Sequence, residues 1–178
     1  MALTLSGDNK TVLQVVQSQL NYSVTGTTAN TGGGWFADVP QMNATIVPAS
    51  ITSKILVMVT LWAGATTANG AAGYQEQIRI RRNGVYPIVG AQEGTRPRVT
   101  GRINMYASAA YSTYAMGCIT GQWLDSPLST TAQTYQIEFG GYSTSTTYYI
   151  NRAETFQQTA NDYDGVPVST LTLMEIAG

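Results

Sequence analysis

Histidine is absent from the 178 residues of this chain, cysteine occurs once, and charged side chains make up only 11% of it. The first absence weighs against most hydrolytic and transfer chemistry near neutral pH. Such chemistry uses a group that gains or loses a proton there, and histidine is the side chain whose unperturbed pKa allows it. The second excludes an internal disulfide: Cys118 has no partner, and its neighbours Ala115, Met116, Gly117 and Ile119 suit a small buried thiol. Nine basic residues against ten acidic ones leave a net charge of −1, so neither nucleic acid nor an anionic membrane is drawn to the chain as a whole. No apolar run approaches the ~18 residues of a membrane span. The longest, Ile55 to Trp62, is interrupted by Thr60. The amino end, Met1-Ala-Leu-Thr-Leu-Ser-Gly-Asp, has neither the charged start nor the apolar stretch of a signal peptide, which predicts a soluble protein made in a cytoplasm.

In place of charge the chain carries 25 threonines, 12 serines and 11 tyrosines. A two-residue alternation runs through it. In Gln75 to Arg81 the isoleucines point one way and Gln77, Arg79 and Arg81 the other, as in a half-buried strand. Arg98 to Met105 and Tyr135 to Phe139 repeat the pattern. β-Branched and aromatic content predicts further strands at Thr11–Val16, Tyr22–Thr25, Thr45–Val47, Val85–Val89, Tyr114–Trp123, Thr147–Asn151 and Thr170–Ile176. Asn83-Gly84 is the strongest hairpin signal, because both residues tolerate the positive φ of a type I′ turn. Pro48 to Ser53 reads as a turn feeding a strand from Lys54 that is apolar on both faces. Such a strand is central and covered twice, either between two sheets or between a sheet and a neighbouring subunit. About ten short strands and no long helix predict an all-β protein, an antiparallel β-sandwich of jelly-roll type. A chain of this size fits one such domain, placed at residues 22–178 behind an N-terminal arm of residues 1–21. Leu13, Val15, Val16 and Leu20 in that arm need an apolar partner, either a docking surface elsewhere or the sandwich itself, with the arm as an edge strand.

Candidate contacts follow from side-chain chemistry. Arg79, Arg81, Arg98 and Arg102 fall on polar strand faces, where guanidinium groups meet carboxylate or phosphate in a fork. Aromatic residues are not interleaved with them as a nucleic-acid platform requires. Tyr142, Tyr148 and Tyr149 frame a Ser/Thr-rich stretch suited to a glycan or protein contact, or else to packing; Tyr106, Tyr111 and Tyr114 form a second group. Asp162 and Asp164 precede Gly165 as in a calcium loop, but no glutamate follows at the required spacing, so a turn is expected rather than a metal site. The same carboxylates could in principle serve as a glycosidase pair, but such pairs flank a cleft from separate elements at defined separations. Neither a metal, a cofactor nor a catalytic residue is assigned. The sequons at Asn9, Asn21 and Asn43 fit chance in a threonine-rich chain.

Several segments taken in order resemble a module of tailed-bacteriophage structural proteins: Pro48 to Val59, Ile80-Arg-Arg-Asn-Gly, Leu124-Asp-Ser-Pro, Thr130 to Ile137, Tyr149-Ile-Asn-Arg and Ser169 to Ile176. The resemblance spans roughly Val12 to Ile176. It implies a non-enzymatic β-sandwich virion protein, commonly a homotrimer, found as a capsid decoration or cement protein or at a tail-fibre tip. The partners implied are further copies of the chain and other virion proteins such as the major capsid protein. An adhesin would add a host-surface glycan, and a polysaccharide-degrading enzyme is the remaining alternative. A fibre protein of this kind usually begins with a shaft or anchoring segment; the arm of about twenty residues suits cement better.

Overall fold

A computed structural model describes residues 11–30, 35–65, 74–105, 114, 116–140, 147–155 and 165–178. Its strands are β1 (Val12–Leu20), β2 (Val24–Thr27), β3 (Ala29–Asn30), β4 (Trp35–Ile46), β5 (Lys54–Ala65) and β6 (Tyr74–Arg82). They continue with β7 (Val85–Ile88), β8 (Gly101–Met105), β9 (Gly117–Asp125), β10 (Gln133–Gly140), β11 (Thr147–Ile150) and β12 (Ser169–Ile176). All pairings are antiparallel. The first sheet runs β1-β12-β5-β9, with β11 and β2 continuing from the far end of β5; the second runs β3-β4-β10-β6, with β8 and β7 one after the other along β6. Eight of these strands, β1, β4, β5, β6, β8, β9, β10 and β12, give the strand orders of a jelly roll: first, eighth, third, sixth against second, seventh, fourth, fifth.

The Lys54 strand is central, as its sequence predicts. It pairs with β9 from Ile55 to Ala63, with β12 from Lys54 to Thr60, and with β11 from Ala63 to Ala65. Its inner residues Ile55, Val57, Val59 and Leu61 join Ile78, Ile80, Tyr135, Ile137, Phe139, Leu171 and Leu173 in one core. Each such side chain contributes roughly 1.5–3 kcal/mol by leaving water. Asn83 and Gly84 both adopt positive φ, 44° and 87°, and close the β6–β7 hairpin. The Asn83 side chain then accepts from the Thr134 amide at 3.0 Å and donates to the Ala132 carbonyl at 3.0 Å, fixing the turn to the start of β10.

Residues 12–20 of the arm are a strand of the sandwich, edge strand β1, paired with β12 from Val12 to Leu20. Val16 and Leu20 face the core, whereas Leu13 and Val15 are exposed on the outer face. Of the two readings of this segment, hydrogen bonding in these residues realises the edge strand; residues 1–10 lie outside the described residues.

Strand β4 is largely missing from the sequence reading, which reaches only Thr45–Val47. Between Asp38 and Asn43 it bulges away from β10, whose Glu138 and Gln136 pair with those two residues. Gln41 takes φ 60° in the bulge, and Gln136 Nε2 donates to the Val39 carbonyl at 2.9 Å. The bulge turns both Val39 and Met42 into the core, so the two-residue alternation is lost.

Three glycines lie beneath aromatic rings: Gly26 under Tyr148, Gly121 under Trp123 and Gly140 under Phe36. A Cβ at any of them would overlap the ring. Gly140→Val is expected to lower stability by about 1–3 kcal/mol, because the buried Phe36 ring has nowhere to move. Gly165→Ala, which meets open space, should change it by less than about 0.5 kcal/mol. Urea unfolding midpoints check both.

Candidate functional site

Alternation along β6 puts Arg79 and Arg81 on the outer face of the second sheet, where carboxylates of the same chain meet them. Arg79 Nε donates to Glu138 Oε2, and Arg81 pairs with Glu138 at 3.0 Å and with Asp38 at 2.8 Å. Tyr86 Oη donates to Glu138 Oε2 at 3.2 Å, and the Arg79 guanidinium lies 3.7 Å from the Phe36 ring centre and 4.3 Å from that of Tyr86. Arg79 and Glu138 are 5% and 3% exposed. Desolvation lowers the Arg81 pKa, but Asp38 and Glu138 outweigh it and hold the group above its ordinary value. Burial, then Glu138, pushes the Tyr86 phenol up. On the inner face Arg82 pairs with Asp125, which also accepts from Tyr135 Oη at 2.8 Å. Burial and the Asp125 charge push Tyr135 up as well.

The arginines singled out in the sequence therefore divide. Arg79 and Arg81 pair with carboxylates of their own chain, the alternative to an anionic partner. Arg98 donates to the Gly90 carbonyl at 2.8 Å in an exposed loop, and Arg102 is exposed on β8. The sequence does not mark Glu138 and Asp38 as the carboxylates that meet Arg79 and Arg81. The alternation marked β6 and β10 as strands but carried no register to set Arg79 opposite Glu138.

The tyrosines divide too. Tyr148 is a core residue, 2% exposed, with its ring centre 4.9 Å from that of Phe139 and its hydroxyl donating to the Asp38 carbonyl at 3.1 Å. It is not a surface contact. Tyr149 is half-buried on the outer face beneath the Arg152 guanidinium, 4.7 Å from its ring centre. Tyr142, Tyr106, Tyr111, Asp162 and Asp164 lie outside the described residues.

The feature that remains is the outer face of the first sheet. Val15, Met174, Leu56 and Leu124 stand opposite one another across β1, β12, β5 and β9, forming an apolar row four strands wide. Val15 is 54% exposed and Leu124 50%. The next rows are Gln17, Thr172, Met58 and Gln122, then Gln19, Thr170, Thr60 and Thr120, and Trp62 pairs with Cys118 beyond them. Among the described residues of these four strands, the one charged side chain on this face is Lys54 at its rim, donating to Ser126 Oγ at 2.7 Å. Cys118 is half-buried rather than buried, and burial raises its thiol pKa, which disfavours the reactive thiolate. The row ends in an open groove of about 830 Å³ beside β9, lined by Leu56, Leu124, Trp123, Ile88, Val99 and Thr100 among others.

Among the described residues no three His, Cys, Asp or Glu side chains gather as a metal site would require. No protein-family model matches the chain, and no curated protein does. Solved structures similar to it include the VP2 subviral particle of infectious bursal disease virus, with 10% identity and a TM-score of 0.37 over 99% of this chain. The Gx strain of the same virus gives 11% identity and a TM-score of 0.36 over 97%. The chain spans 44% of the length of each of these structures. Likeness at that level does not bear on function.

Arg79→Met leaves Glu138 buried with Arg81 as its remaining cation and should cost about 3 kcal/mol; adding Glu138→Leu should restore much of the loss. Arg102→Met is expected to stay within about 0.5 kcal/mol of the parent. Chemical unfolding of the four proteins separates a structural arginine pair from a solvated one.

Proposed function

We propose that the protein is a non-enzymatic structural component of a bacteriophage virion, a homotrimer that decorates the capsid exterior and associates through the outer face of the first sheet. The observation that carries this reading is the central strand β5. Its inner side is covered by the second sheet, while Leu56, Met58 and Trp62 on its outer side are left half-exposed by the described residues. A central strand apolar on both faces calls for cover on both. The face has the composition of an interface core, with charge depleted and methionine and tryptophan present. Nine residues at about 3.3 Å and four strands about 4.8 Å apart give a footprint of roughly 500 Å². Burying about 400 Å² of apolar surface per chain would contribute roughly 10 kcal/mol before association costs. A face with one charge also makes association depend weakly on salt.

The ordered resemblance to phage structural segments supports the setting, a virion, and its partners, the capsid surface and further copies. An enzymatic reading has little support, since the buried carboxylates Glu138, Asp125 and Glu175 are engaged in structural contacts and Glu76 is closed off between the sheets. One alternative has an observation of its own. The groove beside β9 combines the half-exposed Trp123 with Gln122 and Thr100, side chains that suit a sugar ring, so a host-glycan adhesin is the second reading.

Light scattering at micromolar concentration is expected to give a mass near three times that of the 19.0 kDa chain. Leu56→Glu with Leu124→Glu should reduce it to one chain while cooperative unfolding persists. A wild-type monomer would sink the trimer. Labelled protein on the tail rather than the head of intact virions, with polysaccharide binding lost in Trp123→Ala, would favour the adhesin over cement.

A further inference from the structure

The inner face of β6 reads Glu76, Ile78, Ile80, Arg82: two isoleucines with an ionisable group at each end. Arg82 is balanced by Asp125. Glu76 is 2% exposed, and neither carboxyl oxygen has a hydrogen-bond partner. Neutral or ionised, a carboxyl so placed is held there by its surroundings alone, and in the ionised form the penalty is severe.

Among the described residues the surroundings offer no compensating charge. On β6 itself the flanking residues are Gln75 and Gln77. On β8, Arg102 is exposed and paired in register with Gln77, on the opposite face. On β10, Glu138 lies on the outer face with Arg79 and Arg81. Across the sandwich, β9 presents Cys118 toward the outer face, β11 presents Tyr148, already bonded to the Asp38 carbonyl, and β5 carries no titratable group near its far end. Arg82, the inner-face cation of the same strand, is six residues and roughly 20 Å away.

Glu76 lies beyond the described pairing of β6 with β10, which reaches Gln77, and beyond its pairing with β7 at Ile80–Arg82. Among the described residues the strand beside Glu76 is β8, whose Ile103 is its register partner and which pairs with no second strand. Thr100 ties the start of β8 down, its amide donating to the Ile78 carbonyl at 2.8 Å.

We propose that Glu76 is a proton-operated latch on the β6–β8 edge. Protonated, its carboxyl stays between the sheets and β8 stays zipped to β6. Ionised, the carboxylate draws water in, and β8 is released from the Thr100 anchor outward while the rest of the sandwich holds. Burial raises the group from 4.5 to about 8. A folded-state value above the unfolded one means that the contribution to stability is full below pH 4.5 and is lost as pH rises toward 8.

Hydrogen exchange of peptides spanning 101–105, corrected for intrinsic base catalysis and followed from pH 6 to 9.5 in wild type and Glu76→Gln, tests the latch. Wild-type protection of β8 should fall at least tenfold between pH 6 and 8 and level off above, with β5 and β12 unchanged and the Gln variant flat. Parallel profiles for the two proteins overturn the proposal, as does a loss of protection in all strands together. The side-chain carboxyl ¹³C shift of Glu76 in the wild-type protein is an independent check. A midpoint below pH 6 overturns the latch, and one near 8 supports it. None of these readouts depends on oligomeric state or on a virion.

Discussion

Backbone pairing of β5 with three other strands is the constraint on which the remainder of the fold hangs. β9 runs along nearly its whole length, β12 along its first half and β11 at its end, so every strand of the first sheet reaches the core directly or through one neighbour of β5. The strand must then be apolar on its inner side to meet Ile78, Ile80 and Ile137. That it is apolar on its outer side too is not required by the fold of a single chain. The row of Val15, Met174, Leu56 and Leu124 follows from the register β5 imposes, and it turns a local excess of apolar residues into a face.

A chain with so few charges keeps many of them inside. Two glutamates show what decides whether this is stable. Glu175 is fully buried, yet its carboxylate accepts from the Ala49 amide at 2.7 Å and from Gln14 Nε2. Burial alone would raise its pKa; these hydrogen bonds outweigh it and hold the group below its ordinary value. Its contribution to stability is therefore present at neutral pH and lost as pH falls. Glu76 is as little exposed to solvent but lies deeper between the sheets and has no donor, so burial acts unopposed and the sign reverses. Depth and hydrogen bonding together separate them. Arg79 with Glu138 and Arg82 with Asp125 are also hydrogen-bonded, each ion pair being completed by a tyrosine hydroxyl.

Those same pairings explain how much could be read in advance. The strands of β6, β10 and β12, the Asn83-Gly84 turn and the central place of β5 were legible because each rests on a local pattern: period two, a positive-φ pair, a run of β-branched residues. The roles of Arg79, Arg81 and Tyr148 were not, because whether a polar side chain faces water or a partner depends on register. Tyr148 illustrates this. In sequence it belongs to a run of hydroxyls and rings, but its strand places it opposite Gly26, and the space above that glycine is filled by the Tyr148 ring. The bulge in β4 hid a strand of twelve residues for a related reason, since Pro40 and Gln41 look like a loop until Gln136 is seen to satisfy its carbonyls.

Edges carry the argument one step further. Sheet edges in soluble proteins are commonly guarded by lysine, proline or inward charge, since unpaired N–H and C=O groups invite another strand. Strand β1, one edge of the first sheet, has neither a charged residue nor a proline, but Gln14 Nε2 donates to the Val47 carbonyl at 2.7 Å and Ser18 Oγ to that of Gln41, which ties it to the second sheet. Strand β9, the other edge, has one charged residue, Asp125, and that carboxylate is turned inward to Arg82 and Tyr135. Along the rest of β9, Gly117 to Leu124, there is no charge, no proline and, beside Trp123 and Leu124, an open groove. An edge guarded so lightly among the described residues invites a covering partner. The uncharged face and the unguarded edge meet at Leu124, so an association that buries the first would protect the second as well.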